Sequence, residues 1–376
     1  MNVNKPKPKA SLHFRSAIER RMSRTVAIFF ASSSIIYMLT WLLQYENNII
    51  IFIANVFAPA LLILLGIVAI LAEVYSRRSG RRPSPKELIV RYSMIASVLL
   101  PTVIGEFRSG AFASRHAAAA QGKHISVLDA NLLGTVDLES EFYDMVEKLN
   151  PDVITLQELN PTVAKGILDR VGSRYPCQAL QAQVGVYGMG VMAKYPCELT
   201  TPSNKLEGIG VPQMVELRLD DKNQLSVVNF HTIPPHTLIR NRPNDNEIQR
   251  LSNAIIEREK FMRALALEIH QRSNAGAILA GDLNATTRNR VYSIIRDLGF
   301  NDAWSVGDRL RGGTWPSPDS PFPSWLVRID YIFHTASMIA KTAQTLPQGY
   351  GSDHRGVFAT FELLPPTNST VSDKRD

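Results

Sequence analysis

The chain has 376 residues, 45% of them hydrophobic and 20% charged, which suits a large core and excludes a wholly disordered chain. Two cysteines exclude a disulfide scaffold and a Cys-rich zinc module. The net charge of +7 is uneven, with 13 Lys+Arg against 5 Asp+Glu up to Phe107 and 28 against 29 beyond it, so the basic excess signals topology rather than a nucleic-acid face.

Residues 1–24 form a basic leader with Lys5, Lys7, Lys9, Arg15, Arg20, Arg21 and Arg24. Three apolar stretches follow, 25–45, 49–75 and 88–105, in a membrane region of 25–107. The first two lack the polar residues that a soluble core helix shows every third or fourth position, and each is long enough to cross ~30 Å of hydrocarbon. The third is shorter and carries Arg91 near its start and Pro101 near its end; its alternative is a helix lying on the membrane surface. Lys/Arg-rich segments stay cytoplasmic, so the leader and the Ser76–Glu87 joint are inside and the Glu46-Asn47-Asn48 joint is outside. Three spans then put everything after Phe107 outside.

An Ala-rich linker, 108–122, leads into a domain of 123–364, and a disordered tail is expected over 365–376. Strands are predicted at 124–131, 153–157, 190–193, 214–219, 225–230, 277–280, 329–333 and 357–363, and helices at 139–149, 247–271 and 289–298. Several strands end on polar residues that strand propensity does not explain: Asn131, Glu158, Asn229 and His231, Asp282 and Asn284, Asp330, Asp353 and His354. Singly, each reads as turn chemistry or a hydrogen-bonded structural residue. Together they supply oxygen ligands for Mg²⁺, donors for phosphate and a carboxylate base for water.

In their order, the strand ending at Asn131, LQE at Glu158, GVMAKYP at 190–196, NFH at His231, GDLNAT at 281–286, TWP at 314–316, RIDYIF at Asp330 and GSDH at Asp353 and His354 resemble the endonuclease/exonuclease/phosphatase superfamily. With the apolar leader, the chain is most similar to bacterial membrane-anchored members. The resemblance implies an α/β fold, a four-layer α/β/β/α sandwich of the deoxyribonuclease type, preceded here by transmembrane helices. It implies Glu158, Asn131 and Asp353 as ligands of Mg²⁺, with Mn²⁺ as the alternative. Asp282 would be the base toward water, Asn284 would hold a phosphate oxygen, and His354, held by Asp330, would donate to phosphate. His231 would donate from the other side. Abasic-site endonucleases typically place an Asp where Leu133 stands and lack a histidine at the position of His231, which separates this chain from that branch.

The implied enzyme is an integral membrane phosphoesterase acting on a lipid or an extracytoplasmic metabolite, in a bacterial inner membrane with the catalytic domain periplasmic. A nuclease is the alternative, and no protein partner is inferred. Arg288, Arg290, Arg309 and Arg311 read as surface charge or a local basic patch. Cys177 and Cys197 each follow a Tyr-Pro pair, and two strands folding about Tyr187 would set them opposite each other for a disulfide, in keeping with an oxidising compartment.

Overall fold

The computed structural model describes residues 122–364, with breaks at 201–210, 222, 235–245, 273–275, 307–311 and 319–326. It also describes Glu46, 48–78 and scattered positions within 32–41 and 84–99. The leader, nearly all of the linker, the tail and most of the 25–45 and 88–105 stretches lie outside the described residues. The chain divides into two compact units, Met1–Tyr45 with Phe57–Val103, and Glu46–Val56 with Ile104–Asp376.

Helix α1 spans Ile49–Arg78, opened by Asn48, whose Oδ1 accepts from Ile50 N at 2.8 Å. Among the described residues no helix is long and apolar enough to cross a membrane; the side chains of α1 beyond Ala58 are described only in part. The stretch predicted as a span from Ile49 is corrected at its start. Ile49 and Phe52 are buried in a core shared with strands of the second unit, because this turn packs on protein rather than presenting itself to lipid.

In chain order the second unit continues with β1 (His124–Asn131), α2 (Ser140–Leu149), β2 (Val153–Gln157), α3 (Pro161–Val171), β3 (Cys177–Gln181), β4 (Met189–Ala193) and β5 (Cys197–Thr200). Then come β6 (Gln213–Arg218), β7 (Gln224–His231), α4 (Glu247–Arg272), β8 (Ala277–Asp282) and α5 (Arg290–Asp297). The last strands are β9 (Asn301–Asp302), β10 (Asp330–His334), β11 (Met338–Thr345) and β12 (Val357–Leu363). The eight predicted strands and three predicted helices are present with ends shifted by a residue or two. Missed were α3, although Asn160 caps it and Pro161 opens it, the more exposed strands β3, β5 and β11, and the two-residue β9.

One sheet runs β11-β12-β1-β2-β4-β3 and the other β5-β6-β7-β8-β10-β9. Each is mixed, with a single parallel pair among the described residues, β1 with β2 and β7 with β8. Three cores separate four layers. Val127, Val153, Val191, Val227, Ile278 and Ile332 pack between the sheets. Leu128, Ile154 and Leu156 face α2 and α3, while Val228, Phe230, Leu279 and Tyr331 face α4 and α5. The alternation of strand side chains does this sorting, sending every second residue to the inter-sheet layer.

Cys177 and Cys197 form a disulfide with a Cα separation of 5.4 Å. They do not meet across the expected hairpin. Gln181 pairs with Met189 and Cys177 with Ala193, so that hairpin is centred on Gly185, while Cys197 opens β5 in the other sheet opposite Leu217. The bridge therefore ties one sheet to the other.

Candidate active site

The alternation that builds the inter-sheet core also builds the site. Val127, Asp129 and Asn131 on β1, Val227, Asn229 and His231 on β7, and Ile278, Ala280 and Asp282 on β8 share the inward parity, as do Ile332 and Asp330 on β10. Register then sets Asp282 beside both His231 and Asp330. The inward residues are apolar deep in the sandwich and polar at its end, where the sheets no longer cover them.

Glu158 follows β2 with φ +53°, and this left-handed turn re-aims its carboxylate. Glu158 Oε2 accepts from Gly134 N at 3.1 Å and Oε1 from Asn131 Nδ2 at 3.2 Å. Gly134 has no room for a side chain, since a Cβ there would lie 2.0 Å from Gly185 O. Asn131 also donates to Asp282 Oδ2 at 3.0 Å, so its amide bridges the two carboxylates, and its Oδ1 accepts from Leu133 N at 3.1 Å.

Asp282 is almost wholly buried. Its Oδ1 accepts from Asn284 N at 2.8 Å and its Oδ2 from Asn284 Nδ2 at 3.1 Å, with His231 Nε2 at 3.5 Å and His354 Nε2 at 3.9 Å. Burial raises the cost of its charge, but the hydrogen bond from His231 and the charges of His354 and His231 outweigh it, and the carboxyl is held below its usual range. Asn284, at φ +49°, gives its other amide hydrogen to Thr232 O at 3.0 Å. Both amide hydrogens are thus committed within the protein, and Asn284 orients Asp282; holding a phosphate oxygen would require one to be released.

His354 Nδ1 sits 3.1 and 3.0 Å from the two Asp330 oxygens. Burial opposes its charge, yet Asp330 and, more weakly, Asp282 and Asp353 lift the imidazole to about 10, so it is an imidazolium at neutral pH. Asp330, itself buried, is fixed by Thr314, whose Oγ1 accepts from Asp330 N and Ile329 N at 3.2 and 3.0 Å. Trp315 Nε1 donates to Asp353 Oδ2 at 3.0 Å, and Ser352 Oγ ties the last loop to Asn131 O at 2.8 Å. The TWP block, quoted above without a role, therefore holds Asp330 and Asp353 in place.

His231 turns Nε2 toward Asp282 and Glu158, the latter at 3.8 Å, and its Nδ1 is buried without a hydrogen-bond partner among the described residues. The eight site residues expected from the sequence thus lie at one end of the sandwich. Of the four arginines read as surface charge or a basic patch, Arg288 is buried and donates inward, Arg290 lies 3.4 Å from Glu259, and Arg309 and Arg311 fall outside the described residues.

The family model described as Endonuclease/Exonuclease/phosphatase family matches residues 130–354, more than half of the chain. The chain belongs to that family. A structure of an endonuclease/exonuclease/phosphatase from Beutenbergia cavernae is similar at 17% identity, covering 65% of this chain and 72% of its own, with a TM-score of 0.47. Humanized D. rerio TDP2 is similar at 18%, with 64% and 99% covered and a TM-score of 0.45. An AP endonuclease from Archaeoglobus fulgidus is similar at 12%, with 62% and 98% covered and a TM-score of 0.47. Comparison with curated protein sequences gave no match.

Members of the endonuclease/exonuclease/phosphatase family are metal-dependent hydrolases of phosphoester bonds, and the donor set here suits a hard cation. Glu158 is a carboxylate with only two protein donors, and Asp353 Oδ1 is buried without a hydrogen-bond donor among the described residues. Asp282, Asp330 and His354 also bring one atom each within 4.8 Å of one another. Within that trio Asp330 is already paired with His354 Nδ1, which leaves His354 Nε2 and Asp282 facing each other.

Beneath the site lies a buried polar layer of which the sequence singled out only Asn229. Asp129 Oδ1 accepts from Thr155 Oγ1 at 2.7 Å and Gln157 Nε2 at 2.8 Å, and Gln157 also reaches Asn229 Oδ1 across the sheets at 2.7 Å. Burial, with the charges of Asp330 and Asp282 adding, pushes the Asp129 carboxyl well above the usual range, while Thr155 and Gln157 pull the other way. A folded-state pKa raised above the unfolded one favours the fold at low pH and costs stability as pH rises through it. Asp129→Asn therefore gains stability relative to the unaltered protein as pH rises from 4 to 8. Parallel thermal unfolding curves across that range would falsify the assignment.

Proposed function

We propose that the protein is a membrane-anchored, Mg²⁺-dependent phosphoesterase that hydrolyses a phosphate ester of a lipid or an extracytoplasmic metabolite. The observation that carries this reading is the convergence of Asp282 with His231 and His354 beside a separate carboxylate, Glu158. Asp282, ionised and oriented by Asn131 and Asn284, takes the proton of a water attacking phosphorus in line with the ester oxygen. His354, kept cationic by Asp330, donates to the phosphate, and His231 serves phosphate or leaving group from the other side. Glu158, with Asn131 and Asp353, would hold the cation, which supplies neutralisation of charge developing on the phosphate.

The substrate class is supported by charge. Residues 108–376 carry 28 Lys+Arg against 29 Asp+Glu, and Arg288 and Arg290 turn to protein partners, which gives no support to the basic face that duplex DNA needs.

Membrane anchoring is supported by the apolar stretches and by the exposure of Leu64, Ile67, Ile70 and Leu71 along α1. With Ile49–Val56 in the catalytic unit, the proposed membrane-embedded part of α1 is confined to residues after Val56. Placement outside the cytoplasm is supported by the basic segments flanking the stretches and by the disulfide. Glu46, read as outside from those charges, belongs to the same compact unit as the site.

Assay of phospholipids, sugar phosphates and plasmid DNA with Mg²⁺ should show release from a lipid or small ester that Glu158→Ala abolishes. Plasmid nicking without turnover of the others makes the enzyme a nuclease, and equal turnover by Glu158→Ala removes Glu158 as the metal ligand.

A further inference from the structure

The turn before α1 and its first residues make contacts that a mere tether does not need. Pro59 has no N–H, so Asn55 O, four residues earlier, lacks its helical partner. Arg288 supplies one: Nε donates to Asn55 O at 2.8 Å and Nη2 to Val56 O at 3.1 Å. Glu46, buried, accepts from Asn55 Nδ2 at 2.9 Å, from Asn289 Nδ2 and from Arg290 N at 2.5 Å. The segment thus holds the last two residues of the loop that leads from Asp282 to α5, Arg288 and Asn289, and the first residue of α5, Arg290.

A second path reaches the base more directly. Arg258 of α4 is buried, with its guanidinium 4.8 Å from the centre of the Phe52 ring. Its Nη1 donates to Asn284 O at 2.9 Å and its Nε to Ile233 O at 3.0 Å. Asn284 and Thr232, the neighbours of those carbonyls, are the residues that orient Asp282. Phe52 therefore backs the cation that holds the backbone two residues after Asp282 and two residues after His231.

We propose that Glu46–Val56 is a positioning element of the active site, clamping the Asp282–Arg290 loop through Phe52 with Arg258 and through Glu46 and Asn55 with Arg288 and Asn289. This segment is in this way part of the catalytic unit. The kinetic half of the proposal rests on the phosphoesterase reading; the structural half does not.

The test uses the full-length chain in detergent with Phe52→Ala and Arg258→Lys, the second keeping the charge but losing the fork that spans two carbonyls. Ile50→Ala, at a residue 65% exposed in the same turn, is the control. Amide hydrogen exchange is followed by mass spectrometry, and turnover with bis(p-nitrophenyl) phosphate and Mg²⁺. Both variants are expected to speed exchange across 282–290 by about tenfold or more. They are also expected to lower kcat by about tenfold or more, with KM changed by less than about twofold, because the aim of the base is lost rather than substrate affinity. Unchanged exchange at 282–290 in Arg258→Lys overturns the clamp, whatever the enzyme does. Faster exchange with unchanged kcat overturns the positioning role, and an equal effect of Ile50→Ala on either readout does the same. If the unaltered chain hydrolyses no phosphate ester, the functional reading fails while exchange still decides the clamp.

Discussion

Asp282→Asn lowers kcat by about 10³-fold, within the range that loss of a positioned general base produces. The substitution keeps shape and volume but cannot take a proton. It also sets an amide against donors that now point at a carboxylate, from Asn131, Asn284 and His231. The fold survives, because Asp282 lies at the end of β8, outside the apolar layers that hold the sheets together. Steady-state turnover of an active ester with circular dichroism on the same sample checks both halves. Turnover within threefold of the unaltered enzyme would remove Asp282 as the base.

Asp330→Asn moves the alkaline limb of the kcat/KM profile downward by one to two pH units or more, roughly the effect of one close charge partner. His354 donates only while protonated, and its pKa of about 10 rests first on Asp330 against the pull of burial. With the carboxylate gone, burial dominates and the imidazole loses its proton nearer neutrality. Stability follows the same sign. A histidine raised from an unfolded value of 6.5 contributes stability that is complete below 6.5 and lost as pH rises through about 10. The variant lacks that contribution, so its thermal midpoint falls most, relative to the unaltered protein, at or below neutral pH. An alkaline limb that stays near 10 in Asp330→Asn would show that His354 is not the group it reports.

The strand ends were legible in the sequence because they break a local rule. Hydrophobic runs such as VITLQ and AILAGD predict strands, and a carboxylate or imidazole where the next core residue belongs needs another explanation. That signal found Glu158, His231, Asp282, Asp330 and His354. It missed Asp129, which sits mid-strand and is tolerated only because Thr155 and Gln157 satisfy one of its oxygens. It missed Arg258, which reads as one more polar position in a long helix although it is 1% exposed. Arg288 looked like surface charge for the same reason: nothing within a few residues of it in sequence shows that its partners are carbonyls at 55 and 56.

By itself the sequence determined the family, the order of the principal elements and the polar strand ends that form the candidate site, because periodicity and motif order are local properties. It offered Cys177 and Cys197 as a pair while leaving two unlinked thiols open, and the two sheets rather than the expected hairpin bring them together. Only the tertiary structure decided that Asn131 bridges two carboxylates, that Asn284 is committed to Asp282, and that the turn at Glu46 closes on the loop after it. Each of those depends on contacts between segments far apart along the chain, and sheet packing rather than sequence spacing sets their distances.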